Sequence, residues 1–326
     1  MKKVLVTGAT GFLGKYVVEE LVEHGYQVRA FGRNRTIGQS LVNASVTFIQ
    51  GDLTNQEDLT MACQEMDMVV HAGALSTVWG PWEDFYRTNV LGTKYVLEAC
   101  REANIEHLVY VSSPSIYAAP RDQLGIKESD APQENRLNNY IRSKLASEKL
   151  FEDYPDVSSV ILRPRGLFGI GDTSILPRVL NLSQKIGIPL IGDGRQLMDM
   201  TCVENVALAI RLALETPQAA GEVYNITNGE PRAFRNLIEE TLRGLGYPIR
   251  YRKFPAPLVS AISSSLEFIY KSLKLKGEPA LTRYTYYLLR YSQTLDISKA
   301  ERDLGYRPKI TISEGIEQYV QDYRKH

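Results

Sequence analysis

The stretch TGATGFLG, residues 7–14, limits what this chain can fold into more than any other. Before it runs KVLVT, a short β-branched apolar segment of the kind that forms a buried parallel strand. After it, Leu13, Val17, Val18, Leu21 and Val22 fall at helical spacing within residues 12–24, and Gly25 closes that helix. Gly8, Gly11 and Gly14 thus stand three apart at a strand-to-helix turn. Such a turn lets backbone N–H groups approach a pyrophosphate, with the helix N-terminus facing the anion. Glycine is needed there because a Cβ would clash or because φ must be positive. A glycine triplet alone is also compatible with an ordinary tight turn. Its place, directly after the first strand and at the head of the first helix, favours the phosphate-binding reading.

The rest of the first half repeats the same unit. YQVRAF is a second strand, VTFIQGD (46–52) a third, and MDMVVHAGA (66–74) a fourth, with a helix across 55–65 between the last two. A helix near 84–103, the strand HLVYVSS (107–113), a long helix around 139–153 and the strand VSSVILRPR (157–165) follow. This alternation predicts an α/β fold with a doubly wound parallel sheet covered on both faces. Beyond residue 165 the regularity breaks. GIGD (169–172) and GIPLIGDGR (187–195) read as loops, VENVALAIRLALE (203–215) as a helix packing back on the sheet, and 256–275 as a helix with apolar residues at regular intervals. The expected organisation is a dinucleotide-binding domain over 1–165 and a smaller α/β substrate part over 166–326. About 197–230 crosses back to the first domain.

Composition narrows the function classes. The 38 basic and 38 acidic residues balance, which argues against a nucleic-acid or polyanion partner. Cys63, Cys100 and Cys202 form no C-x-x-C pair, and the four histidines, His24, His71, His107 and His326, show no metal-ligand spacing. No metal site is expected, and a reducing compartment is. The start, MKKVLVTG, contains no cleavable signal, and no apolar run reaches the roughly 18 residues of a membrane span. A cytoplasmic protein is expected.

Tyr140 and Lys144 stand at i, i+4 in NNYIRSKLASE and share a helix face. A phenol of ordinary pKa about 10 is a weak base at neutral pH, and a nearby ammonium favours its phenolate. The pair could therefore pass a proton to or from a carbonyl or alcohol oxygen, although a bare Tyr-x-x-x-Lys also occurs on surface helices. Together with the G-x-x-G-x-x-G turn, VYVSSPSIY and NVLGT (89–93), it resembles the extended short-chain dehydrogenase/reductases of the NAD-dependent epimerase/dehydratase superfamily. The resemblance implies a Rossmann-type fold, an NAD(P) cofactor, and Ser113 as the serine that orients the reacting oxygen beside Tyr140. Ser112 at the strand end and Ser115 in the turn are the alternatives. It implies Lys144 on the nicotinamide ribose and Asn89 shaping the site and linking Lys144 to solvent; a buried asparagine bonded to backbone is the competing reading. It also implies cofactor contacts from Gly8, Thr10, Gly11, Phe12, Leu13 and Gly14, from Asp52 and Leu53 in GDL, from Ala72, Gly73 and Ala74 in AGA, and from Pro164.

Within the superfamily, sugar-nucleotide enzymes commonly read R-Y-F-N-x-Y-G where this chain has RPRGLFG (163–169), with Gly166 at the asparagine's place. Arg163 and Arg165 meet an anion or form salt bridges at the junction. Trp79-Gly80, LRPRGLFGIGD, IGDGR and YNITNGEP look like the 3β-hydroxysteroid dehydrogenase-like branch, with a likeness to bacterial 2-alkyl-3-oxoalkanoate reductases. That branch implies interconversion of a secondary alcohol and a ketone on an apolar, sterol-like or 3-ketoacyl substrate, with Tyr140 as acid/base. The alternatives are a nucleotide-sugar 4-epimerase or dehydratase and a non-catalytic dinucleotide-sensing regulator. Val78, Trp79, Trp82 and Phe85 and the 256–275 helix offer apolar surface for substrate, for packing, or for peripheral contact with a membrane. Residues 118–137 read as a lid or an inert insertion, and a homodimer through the Asn89 and Tyr140 helices is expected.

FGRNR (31–35) bears on the choice of dinucleotide. At the end of the second strand, an acid would bond the ribose 2′-hydroxyl and repel a 2′-phosphate. Gly32 takes the acid's place, and Arg33 and Arg35 could clamp a phosphate. Arg33 also matches the V-R-A-x-x-R of NADP-dependent plant reductases. NADP is the expected cofactor, with NAD as the alternative, and two solvated arginines as the plainer reading.

Overall fold

A computed structural model of the chain describes residues 1–185 and 187–325. Its main sheet holds seven strands in the spatial order Val223–Ile226, Ser159–Pro164, His107–Val111, Met68–His71, Lys3–Thr7, Gln27–Gly32, Val46–Gln50. Every pairing is parallel. The chain starts at the centre, winds out to Val46–Gln50, returns through Met68–His71 beside the first strand, and winds out the other way. That reversal opens a crevice at the carboxyl ends of the central strands, where open α/β sheets take their ligands.

The strands are apolar on both faces because both are covered. Leu5, Val69 and Leu108 are fully buried against the helices Gln56–Cys63 and Gly92–Glu102. Val4, Val6, Val70 and Val109 are buried on the other side with Val17 and Leu21 of Phe12–Glu23 and Val206 and Ile210 of Val203–Leu214. Val203–Leu214 is thus a structural part of the sheet layer although it comes late in the chain. Its Arg211 donates to Glu20 at 2.9 Å, and Lys309 donates to the same carboxylate at 2.7 Å. The rest of the second half forms a smaller layer around Ile175–Lys185, Phe234–Gly244, Ala256–Ser272 and Arg283–Arg290.

Three local features differ from the sequence reading. GIPLIGDGR is not all loop: Ile188–Leu190 is a strand paired in parallel with Tyr251–Lys253. Three residues with Ile188 and Leu190 turned inward are too short to register as alternation. The helix near 84–103 passes through a π-helical turn, Tyr86–Leu91, before settling into Gly92–Glu102. Residues 118–137 are pinned rather than loose. Gln123–Ile126 pairs with Gln293–Leu295, Glu128 accepts from the Asn225 N–H at 2.8 Å, and Asn135 donates to the carbonyls of Ile116 and Ala118. Among the described residues no helix is long and apolar enough to cross a membrane.

Candidate active site

The glycine turn is shaped by close backbone contact. Gly8 has φ +71°, and a Cβ on it would lie 2.6 Å from the Gly73 Cα. A Cβ on Gly14 would lie 2.1 Å from the Gly8 carbonyl oxygen, so the helix can seat against the turn only without a side chain there. Gly11 is the N-cap of Phe12–Glu23, with no side chain capping the first turn and no acidic residue in it. The N-terminal amides are therefore free for an anion, and the macrodipole favours one. This cradle fits a dinucleotide pyrophosphate.

From the turn a groove of about 740 Å³ runs along the carboxyl ends of the strands. Gly8, Thr10, Gly11, Phe12, Leu13, Gly14, Arg33, Asp52, Leu53, Ala72, Gly73, Ala74, Ser113, Tyr140, Lys144 and Pro164 all line it. Asn89 and Arg35 do not. Gly166 joins the wall, as do Ser76, Thr88, Leu167, Ser174 and Ile175, which were not singled out in the sequence. Gly166, Leu167, Ser174 and Ile175 belong to the second half, and no local motif announces that the last three fold over this groove.

At the adenosine end, a Cβ on Gly32 would come within 2.6 Å of the Thr10 hydroxyl, so Thr10 fills the place an acid would need. Arg33 is exposed on the groove wall. Asn34 caps the helix Arg35–Leu41 by accepting from the Ile37 N–H at 3.0 Å. That cap makes Arg35 the first helical residue, and of the two arginines only Arg33 lines the groove. Asp52 accepts from the N–H and hydroxyl of Thr54 at 2.9 and 3.0 Å, which fixes the next turn of the wall.

At the other end stand Ser113, Tyr140 and Lys144. Tyr140 lies in the first turn of Asn139–Leu150, which Asn138 caps by accepting from Ile141 N–H at 2.8 Å. Of the three serines, it is Ser113 that stands near enough to the Tyr140 phenol to lower its pKa. Its Oγ also lies 2.9 Å from that of Ser115. Ser112 donates instead to the Glu148 carboxylate, which Arg163 holds at 2.6 Å in a buried ion pair. Arg163 is thereby a structural arginine. Arg165 is buried as well and donates to Gln293.

The Tyr140–Lys144 coupling expected from their spacing is not what the geometry provides. Burial pushes the Tyr140 phenol up to about 12; Ser113 opposes this, and the nearby Tyr284 adds to it. Lys144 is not among the groups that shift it. The Lys144 ammonium donates to the Tyr110 hydroxyl at 2.6 Å and to the Val111 carbonyl at 2.9 Å, and lies over the Tyr110 ring. Burial pushes it down to about 7, against the pull of Glu148. One helical turn brings the two residues to the same face, but the lysine leans onto the neighbouring strand.

Asn89 is likewise committed. Its side chain accepts from Leu75 N–H at 2.7 Å and donates to Leu75 O and to Ser143 Oγ, while its carbonyl takes the hydroxyls of Thr93 and Ser147. It is a buried asparagine welding the loop after Met68–His71 to the tyrosine helix. Behind it lies a polar layer that strand patterns conceal. His71 sits between the hydroxyls of Thr7 and Thr93 at 2.7 and 3.1 Å, with Tyr110 against its ring. Burial, with Lys144 adding to it, pushes His71 down to about 3, so it is neutral.

The apolar residues after the fourth strand divide by contact. Phe85 is fully buried and packs 6.4 Å from the Tyr140 ring. Trp82 carries the Arg142 guanidinium on its face, and Trp79 meets Tyr270 edge-on at 6.2 Å. On the opposite wall Gly166 has φ +58°, and a Cβ there would lie 3.0 Å from the Asp199 carbonyl.

Comparison with known proteins agrees with this geometry. The model of the NAD dependent epimerase/dehydratase family matches residues 4–227. A 2-alkyl-3-oxoalkanoate reductase from Shewanella oneidensis is 35% identical over 325 residues, covering 95% of this chain and 84% of that protein. A decarboxylating sterol-4-alpha-carboxylate 3-dehydrogenase from Mus musculus is 33% identical, covering 99% of this chain and 91% of that protein. Among solved structures, a UDP-glucose-4-epimerase from Stenotrophomonas maltophila with bound NAD superposes with a TM-score of 0.79 over 100% of this chain and 98% of that one. At 20% identity that likeness shows the fold alone.

Proposed function

The chain belongs to the NAD dependent epimerase/dehydratase family, as an oxidoreductase of the extended short-chain type, and from that premise we propose that it reduces a ketone to a secondary alcohol on a largely apolar substrate. The observation that carries this reading is the Tyr140 phenol, beside Ser113 on the wall of a groove whose far end is a glycine turn open to a pyrophosphate. When bound, the nicotinamide supplies the hydride. Ser113 holds the carbonyl oxygen and Tyr140 gives it the proton. A phenol held at about 12 keeps its proton at neutral pH, which suits the reductive direction. Lys144 holds the nicotinamide ribose and, at about 7, exchanges protons readily one helical turn from the phenol.

The substrate class is a sterol-like or 3-ketoacyl compound. The relatives named for 2-alkyl-3-oxoalkanoates and sterol-4-alpha-carboxylates support this, since both names describe an oxygen at carbon 3 of an apolar skeleton. The crowding at Gly166 counts against a nucleotide-sugar epimerase or dehydratase, because an asparagine there would press on the Asp199 carbonyl. An intact Ser113, Tyr140 and Lys144 set counts against a sensor without catalysis. Gly32 with Thr10, and Arg33 on the wall, support NADP over NAD. Cofactor binding by 1–165 and substrate binding by 166–326, with about 197–230 returning to the sheet, belong to the same reading, as does a homodimer through the helices that carry Asn89 and Tyr140. The test is a screen of 3-oxoacyl, 3-oxosteroid and nucleotide-sugar substrates with NADPH and NADH, followed by reduced-cofactor absorbance. Turnover confined to nucleotide sugars would overturn the reading.

A further inference from the structure

The helix Ala256–Ser272 packs on the molecule by one side only. Val259, Ser263 and Glu267 are buried, and Tyr270 and Leu266 are half-buried beside them. At about 100° per residue, Leu258, Ile262, Ile269 and Leu273 form a row flanking the buried side, and Phe268 lies on the side opposite it. These stay open: Leu258 is 52% exposed, Phe268 71% and Leu273 67%. Alanine and serines fill the rest of that side. The only charges within the helix are Glu267 and Lys271. Glu267 points inward and accepts from the Arg283 N–H at 2.7 Å and Nε at 2.9 Å. A helix whose apolar surface runs past its packed side has room for a second partner beyond the one the structure supplies.

Charge around this face is one-sided. Between residues 250 and 276, Arg250, Arg252, Lys253, Lys271, Lys274 and Lys276 are all exposed, and the sole acid is the buried Glu267. The whole chain has no net charge, so this is a local concentration of positive charge at both ends of an exposed apolar row. The helix also touches the active-site mouth. Tyr270 meets Trp79 edge-on and Lys271 lies 5.4 Å over the Trp79 ring, on the loop whose Ala72, Gly73, Ala74 and Ser76 line the groove.

We propose that this face docks on an anionic lipid surface, the helix lying in the plane of the headgroups beside the opening of the groove. An apolar row flanked by lysines and arginines that reach headgroup phosphates is the composition of an interfacial helix. A second copy is a poor occupant, because a two-fold contact would set this basic cluster against itself. Docking would let a water-insoluble substrate pass from the lipid into the groove.

The experiment is flotation of the full chain with vesicles of phosphatidylcholine alone or mixed with phosphatidylglycerol. The protein is expected to rise with the anionic vesicles, to stay behind with the neutral ones, and to release as salt is raised. Phe268→Ser with Leu273→Ser should weaken partitioning by about tenfold or more. Lys274→Gln and Lys276→Gln should each weaken it about fivefold. All four positions are exposed, and unchanged thermal midpoints will show that the variants are folded. Failure of the wild-type chain to float at low salt overturns the proposal. So does a serine variant that floats like the wild type, or a dimer that the serine variant abolishes. The readout is lipid binding rather than turnover, so it stands or falls apart from the reductase reading.

Discussion

The two ends of the groove are built by different means. The phosphate end is made of backbone: Gly8, Gly14 and Gly73 lie so close that no side chain fits among them. The tyrosine end is made of side chains from distant segments: Ser113 and Tyr140 approach from separate elements, and Lys144 reaches across to Tyr110. The first kind of site tolerates no addition, and its function is a matter of shape. The second can keep its shape and lose its chemistry with a single atom, so the two ends should fail in different ways.

The largest effect is expected at the tyrosine end. Tyr140→Phe keeps the ring and removes the proton donor, and kcat should fall by about 10²–10⁴-fold with cofactor affinity retained. Steady-state kinetics paired with cofactor titration will check this; retained turnover would break the contrast. Gly14→Ala should do the reverse. Its methyl group meets a carbonyl oxygen, so stability should fall by about 1–3 kcal/mol and dinucleotide affinity should be lost. Thermal unfolding and cofactor titration measure both. At the adenosine end, Arg33→Ala should cost about tenfold in kcat/KM with NADPH and little with NADH, the size of a lost charge-assisted bond. Arg35→Ala, outside the groove, should leave the ratio nearly unchanged.

The smallest effect concerns Lys144 and appears as a slope against pH. Its ammonium titrates at about 7 in the fold and at about 10.4 in an unfolded chain. Between those values the unfolded state binds more protons, so this group makes stability rise with pH from about 7 towards 10 and costs most below 7. Tyr140 acts oppositely: held up at about 12, it makes stability fall as pH rises beyond about 10. Lys144→Met should therefore be stabilising at neutral pH, with its advantage over the wild type shrinking by pH 10. Chemical unfolding across that range tests it, and a constant difference would show that burial is not what lowers the lysine.

How much of this could be read from residue order follows the same division. The sheet was legible because strands buried on both faces are continuous apolar runs, and the turn because glycine is the one residue its geometry admits. Ser113 was preferred to Ser112 and Ser115 on the resemblance; that the Ser112 hydroxyl goes to Glu148, itself held by Arg163 from a different strand, had no local sign. Tyr110 and His71 were invisible as polar partners because strand residues read as core. Arg35 looked equivalent to Arg33 until Asn34 proved to cap a helix that starts between them.

The sequence by itself thus determined the parallel sheet, the glycine turn and the pairing of Tyr140 with Lys144 on one helix face, because each depends on neighbours within a few positions. Tertiary structure alone decided that Lys144 serves Tyr110 and Val111, that Asn89 is a weld, and that one side of Ala256–Ser272 is left open. Those outcomes depend on which groups meet after the chain has closed on itself, and hydrogen-bond partners and burial at such distances have no signature in local order.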